Sequence, residues 1–387
     1  MNRATFLFAA CCLAAILGCA TARSQKSVAT TQRAPAASQP FITNAQRIQR
    51  GVEFLVKDQQ PDGSWGTGLE TRGTELYSMV PGSHAAFRIA TTALCVMALR
   101  EAGEKTAHDK GLEYLIAHGE SRRDNGQLIY NIWAHVYAVE ALSIEMREHP
   151  EDQRIASAAR AQLSQMVRYA TYMGGWNYYD FNAQTQQISL GATSFGTAAG
   201  LVALYEARES KLDVPQRLID MSLRRLAECR LPTGLYMYDT DSKFVFNRYP
   251  ANRPRGSIGR TQPSNYALWL WGAGGIDQQK SIEGLKEFFV DHNYLEMGRK
   301  RPYPHESWYQ TSGYYYYFDH YYAARLIEKL DRDKQADFAR QLSDVVAPHQ
   351  EPDGSWWDYA MWDYHKPYGT AFAIMTLLRC ERMTGDK

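Results

Sequence analysis

The sequence predicts an all-α protein arranged as an (α/α)6 toroid, six outer helices around six inner ones. Three observations carry this expectation. Amphipathic segments recur with one apolar stripe, as at Ile48, Val52 and Leu55, whose i, i+4, i+7 spacing marks one helix face. They alternate with uncharged segments rich in small residues, such as Ile89 to Leu99, Ala192 to Tyr205 and Thr370 to Leu378. A helix without a polar face is buried on all sides. Short strings also repeat. Arg50-Gly51-Val52-Glu53-Phe54-Leu55 parallels Lys110-Gly111-Leu112-Glu113-Tyr114-Leu115, and Gln60-Pro61-Asp62-Gly63-Ser64-Trp65 parallels Glu351-Pro352-Asp353-Gly354-Ser355-Trp356.

Taken in order, residues 1–18 read as a leader. Arg3 precedes an apolar run, Phe6 to Leu17, of signal-peptide length and too short to span a bilayer comfortably. Its end, Ile16-Leu17-Gly18-Cys19, resembles a bacterial lipobox. That resemblance implies lipidation of Cys19, export and a membrane anchor on the periplasmic or extracytoplasmic side. The alternative is an ordinary signal peptide cut near Ala20 to Ala22. Residues 19–43 hold few large apolar side chains and read as a flexible tether.

From residue 44 to the end, outer helices are expected to begin near 44, 107, 152, 215, 278 and 333. Inner helices are expected near 88, 130, 192, 263, 313 and 367. An open solenoid of helix pairs is the competing arrangement, but its terminal repeats need polar caps. Here the last inner segment is as apolar as the middle ones, which favours a ring. Asp-Gly in each Pro-Asp-Gly-Ser-Trp string supplies a tight turn, and the Trp is expected to fold back on its helix pair as a structural device. Weaker copies are Gly174-Gly175-Trp176-Asn177-Tyr178 and Thr233-Gly234-Leu235-Tyr236.

Lys and Arg number 43 against 42 Asp and Glu, a net charge of +1, so no basic face for nucleic acid is expected. Outside the leader, Cys95, Cys229 and Cys380 are far apart in apolar patterns and read as small buried hydrophobes. No zinc spacing or phosphate-binding glycine loop occurs. Neither a metal nor a cofactor is expected.

Arg50, Gly51, Phe54, Gln59, Gly63 and Trp65, with Gln350, Gly354 and Trp356 as a partial second copy, resemble the QW repeats of the squalene–hopene and oxidosqualene cyclases. The related protein prenyltransferase β-subunits share the ring of helix pairs. The likeness covers roughly residues 44–384 and implies the toroid fold and a hydrophobic, polyprenyl-type ligand. Class II cyclases protonate an alkene with an Asp-x-Asp-Asp motif; the nearest string here is Asp239-Thr240-Asp241-Ser242, lacking the last carboxylate. The resemblance therefore points to Asp239 or Asp241 as the acid of an isoprenoid reaction. Where prenyltransferases hold zinc with Asp-x-Cys, this chain has Pro263-Ser264-Asn265.

In a ring of helix pairs the outer-to-inner connections share one face, the mouth of the central cavity, and long loops there carry binding surfaces. The stretch 234–262 brings Tyr236, Tyr238, Asp239, Asp241, Arg255 and Arg260. Its carboxylates could share a proton and its arginines bind anions, or the stretch is a solvated loop with local ion pairs. The stretch 294–322 brings His305, Trp308, Tyr309, Tyr316, Tyr317 and His320. Tyr316, Tyr317 and His320 share one helix face; His320 shuttles protons if that face meets the cavity, or is held by a Tyr hydroxyl or backbone group. His135 reads as structural. The last repeat adds Trp357, Asp358, Trp362, Asp363 and His365.

Such a mouth suits isoprenoid faces, through cation–π contacts, and sugar rings, which stack on aromatics beside hydrogen-bonding groups. Polysaccharide lyase or glycoside hydrolase chemistry is the alternative; hydrolysis needs two suitably separated carboxylates. A non-catalytic binding lipoprotein is the third. The expected partners are a hydrophobic or glycan small molecule and, through the anchor, a membrane.

Overall fold

The computed structural model describes residues 42–71, 83–119, 132–178, 191–240, 250–302 and 306–385. The leader, Cys19, most of the tether, Asp241 and His305 lie outside them. The outer helices are α1 (Asn44–Asp58), α3 (Lys105–Ala117), α5 (Gln153–Arg168), α7 (Gln216–Glu228), α9 (Gln278–Val290) and α12 (Arg332–Val346). The inner ones are α2 (Ser83–Ala102), α4 (Ile132–Glu148), α6 (Ser194–Glu209), α8 (Pro254–Leu270), α11 (Tyr316–Glu328) and α13 (His365–Thr384). A short helix, α10 (Asn293–Gly298), lies in the connection from α9 to α11.

Local chemistry sets the outer starts. Thr43 and Gln46 form a capping box at α1, and Glu104, Asp152 and Asp277 cap α3, α5 and α9 with side-chain oxygens. Each satisfies N–H groups that a helix start leaves unpaired. The stripe Ile48, Val52 and Leu55 is buried. Along α2, Ile89 to Leu99 is buried without interruption.

The inner helices pack in the order α2, α4, α6, α8, α11, α13, and α13 packs back on α2. The ring is closed. Inner α8 starts at Pro254 rather than near 263, and Pro263 sits within it. An interior proline removes one backbone hydrogen bond. Packing of α8 between α6 and α11 outweighs that loss. Arg255 and Arg260 therefore stand on an inner helix, not in a loop.

The repeated strings form the joints between neighbouring pairs. Trp65, Trp176 and Trp356 are fully buried, and their indole N–H groups donate to the carbonyls of Leu55, Met166 and Val346 at 2.7, 2.8 and 3.1 Å. Gln59 donates to the Ala107 carbonyl on α3, and Gln350 to the Arg47 carbonyl on α1. A Cβ on Gly111 would lie 2.7 Å from the Trp65 ring, and one on Gly51 2.8 Å from the Trp356 ring. The last repeat thus docks on the first helix as the first docks on α3. Gly354 adopts a φ of +93°, and a Cβ there would meet the Arg50 carbonyl oxygen. Tyr236 takes the Trp position in another copy: its hydroxyl donates to Asn265 Oδ1 at 2.9 Å.

At the C-terminal ends of the inner helices, charge fills the barrel. Arg325 pairs with Glu140 and, at 3.0 Å, with Glu206. It also donates to the hydroxyls of Tyr266 and Tyr321, each at 3.1 Å. Arg379 pairs with Glu101 at 2.7 Å. No helix of the described residues is long and apolar enough to cross a membrane.

Candidate functional site

The inner helices point their N-termini toward one end of the ring, where the outer-to-inner connections meet. A cavity of about 220 Å³ opens there, several times the ~30 Å³ share of one liquid water, so a ligand rather than a single solvent molecule sets its scale. Thirteen of its nineteen lining residues are aromatic and none carries a charge. Phe87, Trp133, Phe195, Phe318 and Tyr368 come from the first two turns of five inner helices. The ring packing is edge-on as well as stacked: Phe195 meets Tyr238 at 5.3 Å and 63°, and Phe318 meets Phe372 at 6.3 Å and 84°.

Most polar side chains of the lining are phenols. Tyr178 and Tyr238 share a hydroxyl–hydroxyl bond of 2.8 Å. The Arg260 guanidinium lies 5.3 Å from the Tyr238 ring centre. Across the cavity, Tyr368 donates to Asp358 Oδ1 at 2.5 Å. Asp358 is fully buried and also accepts from the backbone N–H groups of Tyr359, at 3.0 Å, and Tyr317, at 3.4 Å. Burial pushes its acid up to about 7, against the lowering effect of those bonds. An acid of this kind holds a proton near neutrality.

Of the candidates expected from the sequence, Tyr238 and Trp362 line the cavity. Trp362 adopts a φ of +40°, a region costly for a residue with a Cβ, and its ring meets His84 edge-on at 5.1 Å. Trp357 and His365 stand behind it: Trp357 is covered by the Lys300 ammonium at 4.5 Å, and His365 Nδ1 lies 2.5 Å from the Trp362 carbonyl oxygen. Asp239 pairs by backbone with Thr193 and is half-buried outside the lining. Trp308 is 70% exposed, whereas Tyr309 is buried; neither lines the cavity.

The remaining candidates face elsewhere. Tyr236 is packed between helices as a Trp substitute. Arg260 is fully buried and donates to the carbonyls of Gly256, Tyr236 and Ala251 and to Thr311 Oγ1, so it is not free to grip an anion. Arg255 is half-buried in the first turn of α8 and outside the lining. Tyr316, Tyr317 and His320 share a face, but it is the wall and not the cavity. Phe318 lines the cavity, and Tyr316 and His320, two positions either side, lie about 200° around the helix; Tyr317 is fully buried outside the lining. His320 sits 2.8 Å from His292, Nε2 to Nε2, and 2.5 Å from the Tyr316 carbonyl. Burial, then His292, holds it far below the usual histidine range; it is a neutral packing residue. The Tyr316 hydroxyl lies 2.6 Å from Glu296 Oε1 and 2.8 Å from the Val345 carbonyl oxygen, and its one proton serves one of them at a time. His135 is likewise structural, bonded to Gln162 at 2.7 Å.

The lining residues that sequence reasoning missed had one signal: an aromatic within the first turns of an otherwise small-residue inner helix. Among the described residues, Glu145, Glu148 and His149 lie close enough to hold a cation. They sit at the other end of the ring, where Arg100 pairs with both glutamates and already supplies compensating charge.

Asp319, next to Phe318 on α11, is fully buried, and among the described residues no side chain partners its carboxyl. Burial pushes its acid well above the usual carboxylate range. The folded state therefore binds this proton more tightly than the unfolded chain. Stability is expected to fall as pH rises from about 4 toward the folded value. Asp319→Asn is expected to be more stable than wild type at pH 8 by about 1–3 kcal/mol, with the gap closing near pH 4. Urea midpoints measured across that range check both the sign and the closure.

No protein-family profile matches the chain. Solved structures similar to it include the α-1,6-mannanase GH76A of a Salegentibacter species, in complex with α-1,6-mannotriose (8% identity, TM-score 0.56, 88% of this chain and 100% of that one). Another is the type II terpene cyclase MstE variant from Scytonema, in complex with geranylgeranyl dihydroxybenzoate (15% identity, TM-score 0.51, 88% and 98%). An α-amylase from Clostridium perfringens is a third (10% identity, TM-score 0.55, 87% and 97%). The likeness defines the class of fold, an α/α toroid, and a fold of this kind carries unrelated chemistries.

Proposed function

We propose that this protein binds a hydrophobic, isoprenoid-type ligand in the aromatic cavity at the mouth of the toroid. One observation carries the reading: thirteen aromatic side chains and no charged one among the nineteen that line it. Aromatic faces bury apolar chains without hydrogen-bonding demands. Sugar rings bring many hydroxyls that must be paired when buried, and glycoside hydrolysis takes two carboxylates across the bond. The described lining supplies no carboxylate. The terpene cyclase similarity agrees with this ligand class, and a lipid anchor on Cys19, as the lipobox resemblance implies, would tether the chain to a membrane that stores such molecules.

The test is native mass spectrometry and organic extraction of protein purified from membranes. A polyprenyl compound retained in stoichiometric amount is the expected result. A cavity that is consistently empty, with no uptake of added polyprenols, overturns the proposal.

A further inference from the structure

We propose that Tyr368, braced by Asp358, is a subsite for an oxygen atom on the ligand's head. The ligand is then an isoprenoid-type alcohol or carbonyl compound rather than a plain hydrocarbon. This rests on the cavity reading above and specifies its substrate class.

Tyr178 and Tyr238 bond to each other at 2.8 Å, so that pair is satisfied within the protein. The opposite wall is built differently. Tyr368 and Tyr359 both line the cavity, their ring centres 6.2 Å apart, and the Tyr359 hydroxyl donates to Met361 Sδ at 3.4 Å. Tyr368 also donates at 2.5 Å to a carboxyl that no solvent reaches. A phenol has one proton and two acceptor positions. With Asp358 ionised, the Tyr368 proton points at the carboxylate, and its oxygen is an enriched acceptor for a ligand hydroxyl. With Asp358 protonated, the carboxyl donates to Tyr368 and frees the phenolic proton for a ligand carbonyl. Either state leaves Tyr368 able to take one more partner, and a bond chained to a buried carboxyl is stronger than one from an isolated phenol.

A turn brace alone accounts for part of Asp358, since its oxygens also accept from the Tyr359 and Tyr317 amides. It does not account for Tyr368. A Phe at position 368 would fill the same space and leave those amide bonds intact. The cavity would then lose the one hydroxyl chained to the buried carboxyl.

The experiment compares geranylgeraniol, geranylgeranial and the C20 hydrocarbon lacking the head oxygen. Each is titrated into wild type, Tyr368→Phe and Asp358→Asn, with binding followed by tryptophan fluorescence. Wild type is expected to bind the oxygenated probes about tenfold more tightly than the hydrocarbon, the worth of one buried hydrogen bond. Tyr368→Phe is expected to erase that preference and leave hydrocarbon affinity unchanged, which also shows that the cavity is still folded. Asp358→Asn is expected to reduce the preference in part. Equal binding of all three probes by wild type, or an equal loss for all three in Tyr368→Phe, overturns the subsite while the cavity reading stands. Failure of every probe to bind wild type removes the cavity reading, and this inference with it.

Discussion

Replacing Arg325 by Met is expected to lower folding stability by about 3–5 kcal/mol, the cost of leaving a buried charge without its partner. Arg325 stands on α11 and reaches Glu140 on α4, Glu206 on α6 and Tyr266 on α8. One guanidinium thus joins four of the six inner helices at the base of the barrel. Glu140 is fully buried, and its acid is already raised by burial despite the attraction of Arg325. Without the arginine, that carboxyl must take a proton or remain uncompensated. The loss is read from urea denaturation midpoints at constant m. Adding Glu140→Leu to Arg325→Met is expected to recover part of it, because both charges then leave together. A single-variant loss below about 1 kcal/mol would mean that the cluster is solvated and contributes as surface pairs do.

Removing the Trp356 ring is expected to be as damaging and more localised. Large-to-small changes of a buried Trp cost about 3–5 kcal/mol. This ring lies against Gly51 of α1 and donates to Val346 of α12, so it forms the seam between the last repeat and the first. Trp356→Ala is expected to raise hydrogen exchange across α1 before the rest of the ring, since local opening follows the weakest contacts. Trp65→Ala removes an equivalent ring from an internal joint and is expected to leave α1 less affected. Exchange followed by mass spectrometry distinguishes the two patterns, and identical patterns would contradict the role of Trp356 in closure.

The outer helices were legible because their stripes are one-sided. Their observed starts at 44, 105, 153, 216, 278 and 332 fall within two residues of those expected. The joints were legible because Gly and Trp recur at fixed spacing. The cavity was not, and the reason is physical. An inner helix is apolar on every side, so periodicity does not separate the face toward the cavity from the face toward the outer layer. Tyr316 and His320 were correctly placed on one face of α11, yet that face packs on His292 and Phe288. Arg260 and Tyr236 look like binding residues in a loop; Arg260 instead bonds the carbonyls of Gly256 and Ala251 beside it and of Tyr236, and Tyr236 bonds Asn265, partners that only the helical course of α8 reveals. Asp358 was visible as an acid among aromatics. Its bond to Tyr368, ten residues on and in the next helix, required the fold.

Calorimetric titration of the purified chain with geranylgeraniol and, separately, with mannotriose tests the account most directly. Saturable binding of the polyprenol with a negative heat-capacity change, the mark of apolar burial, and no heat from the trisaccharide is the predicted result. Binding of the glycan with none of the polyprenol would contradict it.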